Sequence, residues 1–121
     1  MKRTFRLTRS NEFKRVRQSG KSFAHPLIVL IASASEQEGT RVGVSASRSL
    51  GSAVKRNRAK RRLREAMRPL LPALRPGWHL ILLARKPLLQ AEFAEIQSAI
   101  AQLLQRSDLL IKTDDQNTPQ G

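Results

Sequence analysis

The chain has 121 residues, enough for one domain with a modest core. It has no cysteine, which excludes disulfides, thiol nucleophiles and zinc–thiolate sites. Its 23 Lys and Arg residues against nine Asp and Glu give a net charge of +14. Because so many positive charges repel one another in a compact chain, this composition indicates an anionic partner, either nucleic acid or a membrane surface.

The first part of the chain predicts a helix and a buried strand. Residues 1–6 form a basic arm with no apolar signal segment behind it. The helix runs to about Gln18 and ends at Gly20. Residues 22–32 are rich in Leu, Ile and Val and predict a strand, in which Pro26 requires an edge position or an irregular start. Residues 36–39 are typical of a hairpin loop, and the apolar run 27–34 is too short to span a bilayer.

The middle of the chain predicts a second strand and a basic amphipathic helix. Residues 41–47 alternate apolar with small polar side chains, which gives the strand one small, polar face. The helix covers residues 52–68, with Ser52 placed to cap it. Its apolar stripe consists of Ala59, Leu63, Ala66, Met67 and Leu70. Its basic stripe consists of Asn57, Lys60, Arg61, Arg64 and Arg68.

This helix carries almost no negative charge. Arg58 and Arg62 lie on a third side with Glu65, the only acidic residue of the stretch. A solvated basic face is the alternative interpretation, but such faces usually mix the two signs of charge. The planar donors of arginine suit phosphate oxygens and base edges, and the amide of Asn57 both donates and accepts hydrogen bonds. The pattern therefore predicts a surface that binds a polyanion.

The last part of the chain predicts a third strand and a long helix. A proline-rich connection at 71–77 leads into a strand at 79–84, beside which Trp78 is a core or hinge residue. The helix covers residues 91–106 and places Phe93, Ile96, Ile100, Leu103 and Leu104 on its core face. Residues 1–111 are expected to form one RNA-binding domain, and the polar residues 112–121 a disordered tail. A fourth strand is expected near residue 109 or from a split of the first run.

The residues needed for autonomous catalysis are missing from the pattern. His25 and His79 each stand beside a predicted strand with no carboxylate nearby in sequence, so both are expected to be structural or surface residues. Glu92 and Glu95 lie at the start of the last helix, where they favour its dipole. There is no phosphate-binding glycine loop and no metal-ligand spacing. RNA binding without bond cleavage is the function that remains.

Two surfaces are expected to bind that RNA. One is the basic helix face with its flanking Arg48 and Lys55. The other is the small-residue strand face at Ser45 and Ser47, beside the first helix with Phe13 and Arg17. A sheet-floored groove with an aromatic side chain and cations along its rim suits a single-stranded backbone.

At these residues a family resemblance becomes visible. Arg56-Asn57-Arg58, followed by Lys60, Arg61 and Arg64, resembles the RNR signature helix of the protein subunit of bacterial ribonuclease P. Residues 41–45 with Arg48, residues 51–54, residues 84–87, and residues 7–20 with Asn11, Glu12, Phe13 and Val16 resemble other segments of that family. The resemblance covers roughly residues 5 to 107.

The resemblance implies an α/β (α+β) sandwich with a small, mostly antiparallel sheet of about four strands and three helices. This is the fold of ribosomal protein S5 domain 2, and it includes a left-handed β-α-β crossover, whereas the usual sense of such a connection is right-handed. It also implies that a catalytic RNA subunit removes the 5′ leader of precursor tRNA and coordinates the Mg²⁺. The protein would bind the leader and the RNA subunit and lower the Mg²⁺ requirement.

The resemblance also carries expectations for single residues. The expected RNA contacts are Arg56, Asn57, Arg58, Lys60, Arg61 and Arg64, to which the basic surface adds Arg68, Arg48 and Lys55. The residues expected in the leader cleft are Phe13, Arg17, Ile31, Ser45 and Arg48. Phe13 fits a core position equally well. Arg17 and Ile31 stand where many members carry aromatic residues, so leader binding here is expected to depend more on charge than on stacking.

The expected partners are the ribonuclease P RNA and precursor tRNA, in the cytoplasm, with no membrane, no stable protein partner and no cofactor bound by the protein alone. The main alternative is a ribosomal or ribosome-assembly RNA-binding protein. A major-groove DNA reader lacks an obvious dimer interface. A membrane-surface helix would carry Trp or Phe at its apolar positions. An autonomous nuclease would need the catalytic groups that the pattern lacks.

Overall fold

The computed structural model describes residues 10–35 and 39–111. Its helices and strands, in chain order, are α1 (Ser10–Ser19), β1 (Lys21–Ala24), β2 (Ile28–Ala34), β3 (Arg41–Ala46), α2 (Ala53–Met67), β4 (Trp78–Ala84) and α3 (Phe93–Arg106). Short 3-10 segments at Arg48–Leu50, Arg68–Ala73 and Lys86–Gln90 connect them. The predicted basic arm and the predicted tail lie outside the described residues.

The four strands form one mixed sheet in the order β1-β2-β4-β3. β2 pairs antiparallel with both β1 and β4, and β3 pairs parallel with β4. The expected α+β fold, with three helices and a mostly antiparallel four-stranded sheet, is confirmed. α2 lies in the connection between the parallel neighbours β3 and β4, and the left-handed sense expected for that connection stays a prediction.

The single strand predicted at 22–32 is wrong, because the chain turns back within it. Pro26 occupies the second position of a tight turn, where its fixed φ angle is favourable. His25 and Ile28 flank the turn and exchange both backbone hydrogen bonds, at 2.9 and 3.3 Å. The expected split of the first run into two strands, β1 and β2, is therefore confirmed as the source of the fourth strand. At the other expected place, Leu110 makes only an isolated bridge to Leu74.

The hairpin predicted around residues 36–39 is also wrong, because β2 and β3 are not neighbours in the sheet. β4 lies between them. Most side chains of β4 are buried on both faces of the sheet, among them His79, Leu80, Ile81 and Leu82, and such a strand belongs in the middle of a sheet. Residues 36–38 of the predicted loop lie outside the described residues.

The two faces of the sheet carry different packing. Leu30, Val44 and Leu82 belong to the main core, together with Leu63 of α2 and Ile100 of α3. The alternate residues of the same strands point to the opposite face, where Ile31 and Ile81 pack with Val16 of α1. Trp78 is partly buried at the margin of the main core. α1 therefore covers one face of the sheet, and α2 and α3 cover the other.

The core face predicted for the last helix is correct except at Phe93. Ile96, Ile100, Leu103 and Leu104 are fully buried, but Phe93 is 39% exposed. Phe93 is the first residue of α3, and helical side chains lean toward the N-terminus, so its ring projects beyond the helix end. The helix begins after Glu92, whose backbone N–H donates to Glu95 Oε1 at 2.7 Å in a capping box.

Candidate nucleic-acid interface

The N-terminus of α2 is fixed by its cap and its buried side. Ser52 Oγ accepts a hydrogen bond from the Lys55 backbone N–H at 3.3 Å. The residues that bury the helix against the sheet and α3 are Ala59, Leu63, Ala66 and Met67, with Leu70 partly buried just beyond them. The predicted apolar stripe is therefore confirmed, and it turns the opposite side of α2 toward solvent.

The solvent side of α2 forms an open concavity of about 590 Å³. Its lining residues, which define what we name the helix concavity, are Val54, Asn57, Arg58, Lys60, Arg61 and Arg64. Four of these six residues are cations and none is a carboxylate. Arg58 and Arg61 are exposed, whereas Lys60 and Arg64 are half-buried. This charge and shape fit phosphate groups of a nucleic acid.

Other cations in α2 and directly after it have partners within the protein. Arg68 binds both carboxylate oxygens of Glu65, at 3.0 and 3.2 Å. Arg62 donates to the backbone carbonyls of Leu88 and Ala91, at 3.3 and 2.7 Å. The near absence of negative charge in this stretch therefore does not leave all of its cations without partners inside the protein. Arg68, expected to contact RNA, is partly neutralised by Glu65, although both side chains are about half exposed.

The flanking cations lie on the approach to α2. Arg48 is exposed in the 3-10 segment Arg48–Leu50, and its carbonyl accepts from Gly51 N at 3.0 Å. Gly51 has a φ of 120°, a conformation that side chains disfavour. A Cβ at Gly51 would lie 3.0 Å from Lys55 Cδ, so the Lys55 stem crosses this turn. Arg56, the first residue of the RNR motif, is half-buried. Its Nε has no hydrogen-bond partner within the described ranges.

A second concavity, which we name the serine groove, lies on the α1 side of the sheet and has a volume of about 360 Å³. Its lining residues are Arg17, Val29, Ser45, Ser47, Ser49, Leu83, Ala84, Arg85 and Lys86. Ser45, Leu83 and Val29 form one row across the sheet, because Leu83 pairs with both of the others. The structure thus brings Arg17 and Ser45 together, as predicted.

Sequence reasoning missed Arg85 and Lys86 as groove residues. Because β3 and β4 are parallel, their carboxyl ends meet at one edge of the sheet, which places the residues after β4 beside Ser47 and Ser49 after β3. The sequence does show an Arg-Lys pair directly after a buried strand. Assigning that pair to the groove requires knowing that β3 pairs with β4, which the sequence does not show.

Phe13 and Ile31 do not line the serine groove. They lie at the interface between α1, which carries Phe13, and the sheet, which carries Ile31. Ile31 is 8% exposed and packs with Val16 and Ile81. Phe13 is partly buried beside the same cluster. A Cβ at Gly43 would overlap with Phe13 Cζ, so the ring rests on the glycine backbone of β3. Within the described structure, the groove lining contains no aromatic residue.

The two histidines are engaged in structural contacts. His79 is 1% exposed, and its Nδ1 lies 2.7 Å from Nη2 of Arg15. Arginine can only donate, so Nδ1 accepts and the hydrogen resides on Nε2, which has no hydrogen-bond partner among the described residues. Burial and the nearby Arg15 lower the pKa of His79 below its usual 6.5. His25 Nδ1 accepts from Leu27 N at 3.1 Å.

Two further features are absent from residues 10–35 and 39–111. No group of three or more His, Cys, Asp or Glu residues there is placed to hold a metal ion. No helix there has both the length and the apolar content needed to cross a membrane.

Comparison with known proteins gives consistent matches. The sequence profile of the ribonuclease P family matches residues 1–108. The ribonuclease P protein component of Herpetosiphon aurantiacus is 40% identical over 109 residues, covering 90% of this chain and 89% of the relative. The corresponding component of Symbiobacterium thermophilum is 42% identical over 112 residues, covering 91% of this chain and 96% of the relative.

Solved structures agree with the sequence matches. The ribonuclease P protein of Staphylococcus aureus superimposes with a TM-score of 0.78 and 27% identity, covering 88% of this chain and 97% of that one. The ribonuclease P protein of Thermotoga maritima gives a TM-score of 0.74 and 26% identity, covering 84% and 96%.

Proposed function

This chain belongs to the ribonuclease P protein family, and from that premise we propose how its two basic surfaces divide the work of the enzyme. As a member, it is an RNA-binding protein component of ribonuclease P, it acts in tRNA processing, and its partner is the ribonuclease P RNA. In the proposal, the helix concavity binds that RNA and the serine groove binds the 5′ leader of precursor tRNA.

The helix concavity suits the RNA subunit because its cations are held on a rigid helix. Arg58 and Arg61 are exposed on α2, whose buried side is packed against the rest of the domain. Side chains fixed in this way lose less conformational freedom on binding than those of a mobile arm. Neutralised phosphates release counterions. The logarithm of the affinity therefore falls by about 0.9 for each tenfold rise in salt concentration and each phosphate contact on a duplex.

The serine groove suits a single-stranded leader. Its floor of Ser45, Val29 and Leu83 is small and partly apolar, and its cations are Arg17, Arg85 and Lys86. With no aromatic residue in the described lining, the groove would hold the leader by phosphate contacts and hydroxyl hydrogen bonds. Leader binding would therefore depend strongly on salt and weakly on leader sequence.

The hydrolysis itself is proposed to belong to the RNA subunit, which would coordinate the Mg²⁺. Three acid–base groups among the described residues are engaged elsewhere: His79 with Arg15, Glu65 with Arg68, and Asp108 with Arg75 at 3.4 Å. The cations of α2 would reduce repulsion between phosphates around the metal ions and so lower the Mg²⁺ requirement. A cytoplasmic location remains part of this proposal.

The observation that carries the leader assignment is the meeting of Arg17, Ser45 and the Arg85-Lys86 pair in one groove. The test is reconstitution with a bacterial ribonuclease P RNA, measuring the affinity for leader-bearing precursor and for mature tRNA with and without the protein. We expect the protein to raise affinity for the precursor by tenfold or more and to leave mature tRNA little changed.

Two variants on α1 sharpen this test. Arg17→Gln removes a groove cation and is expected to weaken precursor binding several-fold. Lys14→Gln, at an exposed position of the same helix outside the groove, is the matched control and should behave as the native protein. Equal affinity for the two tRNAs, whether or not the protein is present, would refute the leader assignment.

A further inference from the structure

The most exposed large apolar side chain in the described ranges lies inside the basic surface. Val54 is 77% exposed, against 43% for Ile111 and 39% for Phe93. It precedes the buried Leu63 by nine residues, which is two and a half helical turns, so it points directly away from the core. Valine is a weaker helix former than alanine, and local helix stability therefore gives no reason for it here.

The neighbours of Val54 on the helix surface are an amide and two guanidinium groups. Asn57 and Arg58 lie one turn further along α2, and Arg61 lies two turns along. All of them line the helix concavity together with Val54. A surface that binds phosphates alone gains nothing from a valine methyl or from an amide that both donates and accepts.

We infer that Val54 and Asn57 form a nucleoside-contacting spot within the helix concavity, where they touch a ribose and base of the RNA subunit while Arg58 and Arg61 hold its phosphates. This inference rests on the proposed binding of that RNA by α2 and adds the part of the nucleotide that is recognised. The cationic lining without carboxylates fits the phosphates of that RNA. The valine contributes an apolar contact that salt does not screen, and Asn57 contributes hydrogen bonds to a base edge or 2′-hydroxyl.

The salt dependence of affinity separates this contact from the phosphate contacts. The experiment measures binding of the full chain to a bacterial ribonuclease P RNA over a range of salt concentrations. Val54→Ala is expected to raise Kd about three- to tenfold at every salt concentration, because two methyl groups lose their burial. The slope of log affinity against log salt should stay that of the native protein. Arg61→Ala should instead reduce the slope by about 0.7–0.9.

Further variants control for the fold and for general loss of apolar surface. Val54→Thr keeps the shape and branching but replaces one methyl by a hydroxyl, so it should weaken binding like Val54→Ala. Val54→Ile should retain native affinity. Ile111→Ala truncates another exposed β-branched residue, outside the helix concavity, and should change nothing. Thermal unfolding of each variant checks that the fold persists.

The outcomes distinguish the inference from the proposal beneath it. Native affinity in Val54→Ala, with weakened binding in Arg61→Ala, overturns the nucleoside contact and leaves RNA binding by α2 standing. Native affinity in both variants overturns both. A Val54→Ala effect that also lowers the salt slope, or that matches the effect of Ile111→Ala, shows that the side chain acts otherwise than proposed.

Discussion

At the scale of single residues, two adjacent arginines of α2 have different roles, one exposed to solvent and the other bound to backbone carbonyls. Arg61 is exposed in the helix concavity, whereas the neighbouring Arg62 donates to the carbonyls of Leu88 and Ala91. Helical spacing predicted that the two lie on different sides. It could not reveal the partners of Arg62, because they are 26 and 29 residues away in the chain.

Substitution of these two arginines should separate folding from binding. Arg62→Ala removes the side-chain donor of the Ala91 carbonyl and one of the two donors of the Leu88 carbonyl, which still accepts from Ala91 N. It should lower the free energy of unfolding by about 1–3 kcal/mol. Arg61→Ala should change it by less than about 0.5 kcal/mol, as expected for an exposed surface position. Urea unfolding of both variants measures this difference. Equal stability of the two would show that the Arg62 contacts contribute little in solution.

The sequence says least about the residues at the interface between α1 and the sheet. Phe13 fitted core and cleft equally well on sequence grounds. Its packing on Gly43 depends on β3 running beneath α1, which no local pattern encodes. Ile31 and Leu30 are adjacent strand residues and therefore point to opposite faces of the sheet. The sequence does not show whether the face with Ile31 is open to solvent or covered by a helix.

At the scale of elements, α1 is held to the sheet by a small apolar cluster and two polar contacts. Val16 packs on Ile31 and Ile81. Arg15 donates to His79, and Ser19 Oγ lies 3.3 Å from Ser33 Oγ. Because this interface is small, one titrating group can affect it measurably. Arg17, on the same helix, lines the serine groove, so the docking of α1 also sets the width of that groove.

His79 should make stability depend on pH. Its folded-state pKa lies below the usual 6.5, mainly through burial, then through Arg15 and, more weakly, Arg41, with Glu12 opposing. Well above pH 6.5 the imidazole of His79 is neutral in both the folded and the unfolded state. As pH falls below 6.5, the unfolded chain binds a proton that the native state disfavours, so the free energy of unfolding decreases.

The measurement is urea unfolding at several pH values between 5 and 8. The native protein should lose stability on acidification, and His79→Asn, which retains an acceptor near Nδ1, should show a flatter profile. His25→Asn is the matched control for removal of a histidine. A profile unchanged by His79→Asn would assign the effect to other groups.

Prediction of elements succeeded where a periodic pattern was long and failed where strands had to be paired. α2 and α3 were predicted within about two residues, as capping and helical periodicity allow. The errors fell on the β1–β2 turn at Pro26 and on the connection after β2. Sequence order suggested that β2 and β3 pair, but burial on both faces of β4 places that strand between them.

At the scale of the whole molecule, the net charge is +14, and no Lys or Arg among the described residues is buried. Two ion pairs, Glu65–Arg68 and Asp108–Arg75, occur among the described residues, so little of this charge is neutralised internally there. Composition alone could predict a polyanionic partner. It could not predict the serine groove, because that site exists only once the parallel strands β3 and β4 end at one edge.

The central claim is that the exposed cations of α2 assist an RNA catalyst, and 5′ processing of precursor tRNA at low Mg²⁺ tests it most directly. The comparison includes ribonuclease P RNA alone, the protein alone, and the RNA with either the native protein or the double variant Arg58→Ala/Arg61→Ala. We predict no cleavage by the protein alone, efficient cleavage by the RNA with native protein, and a higher Mg²⁺ requirement with the double variant. Cleavage by the protein alone, or a stably folded double variant that matches the native protein at low Mg²⁺, would contradict the account.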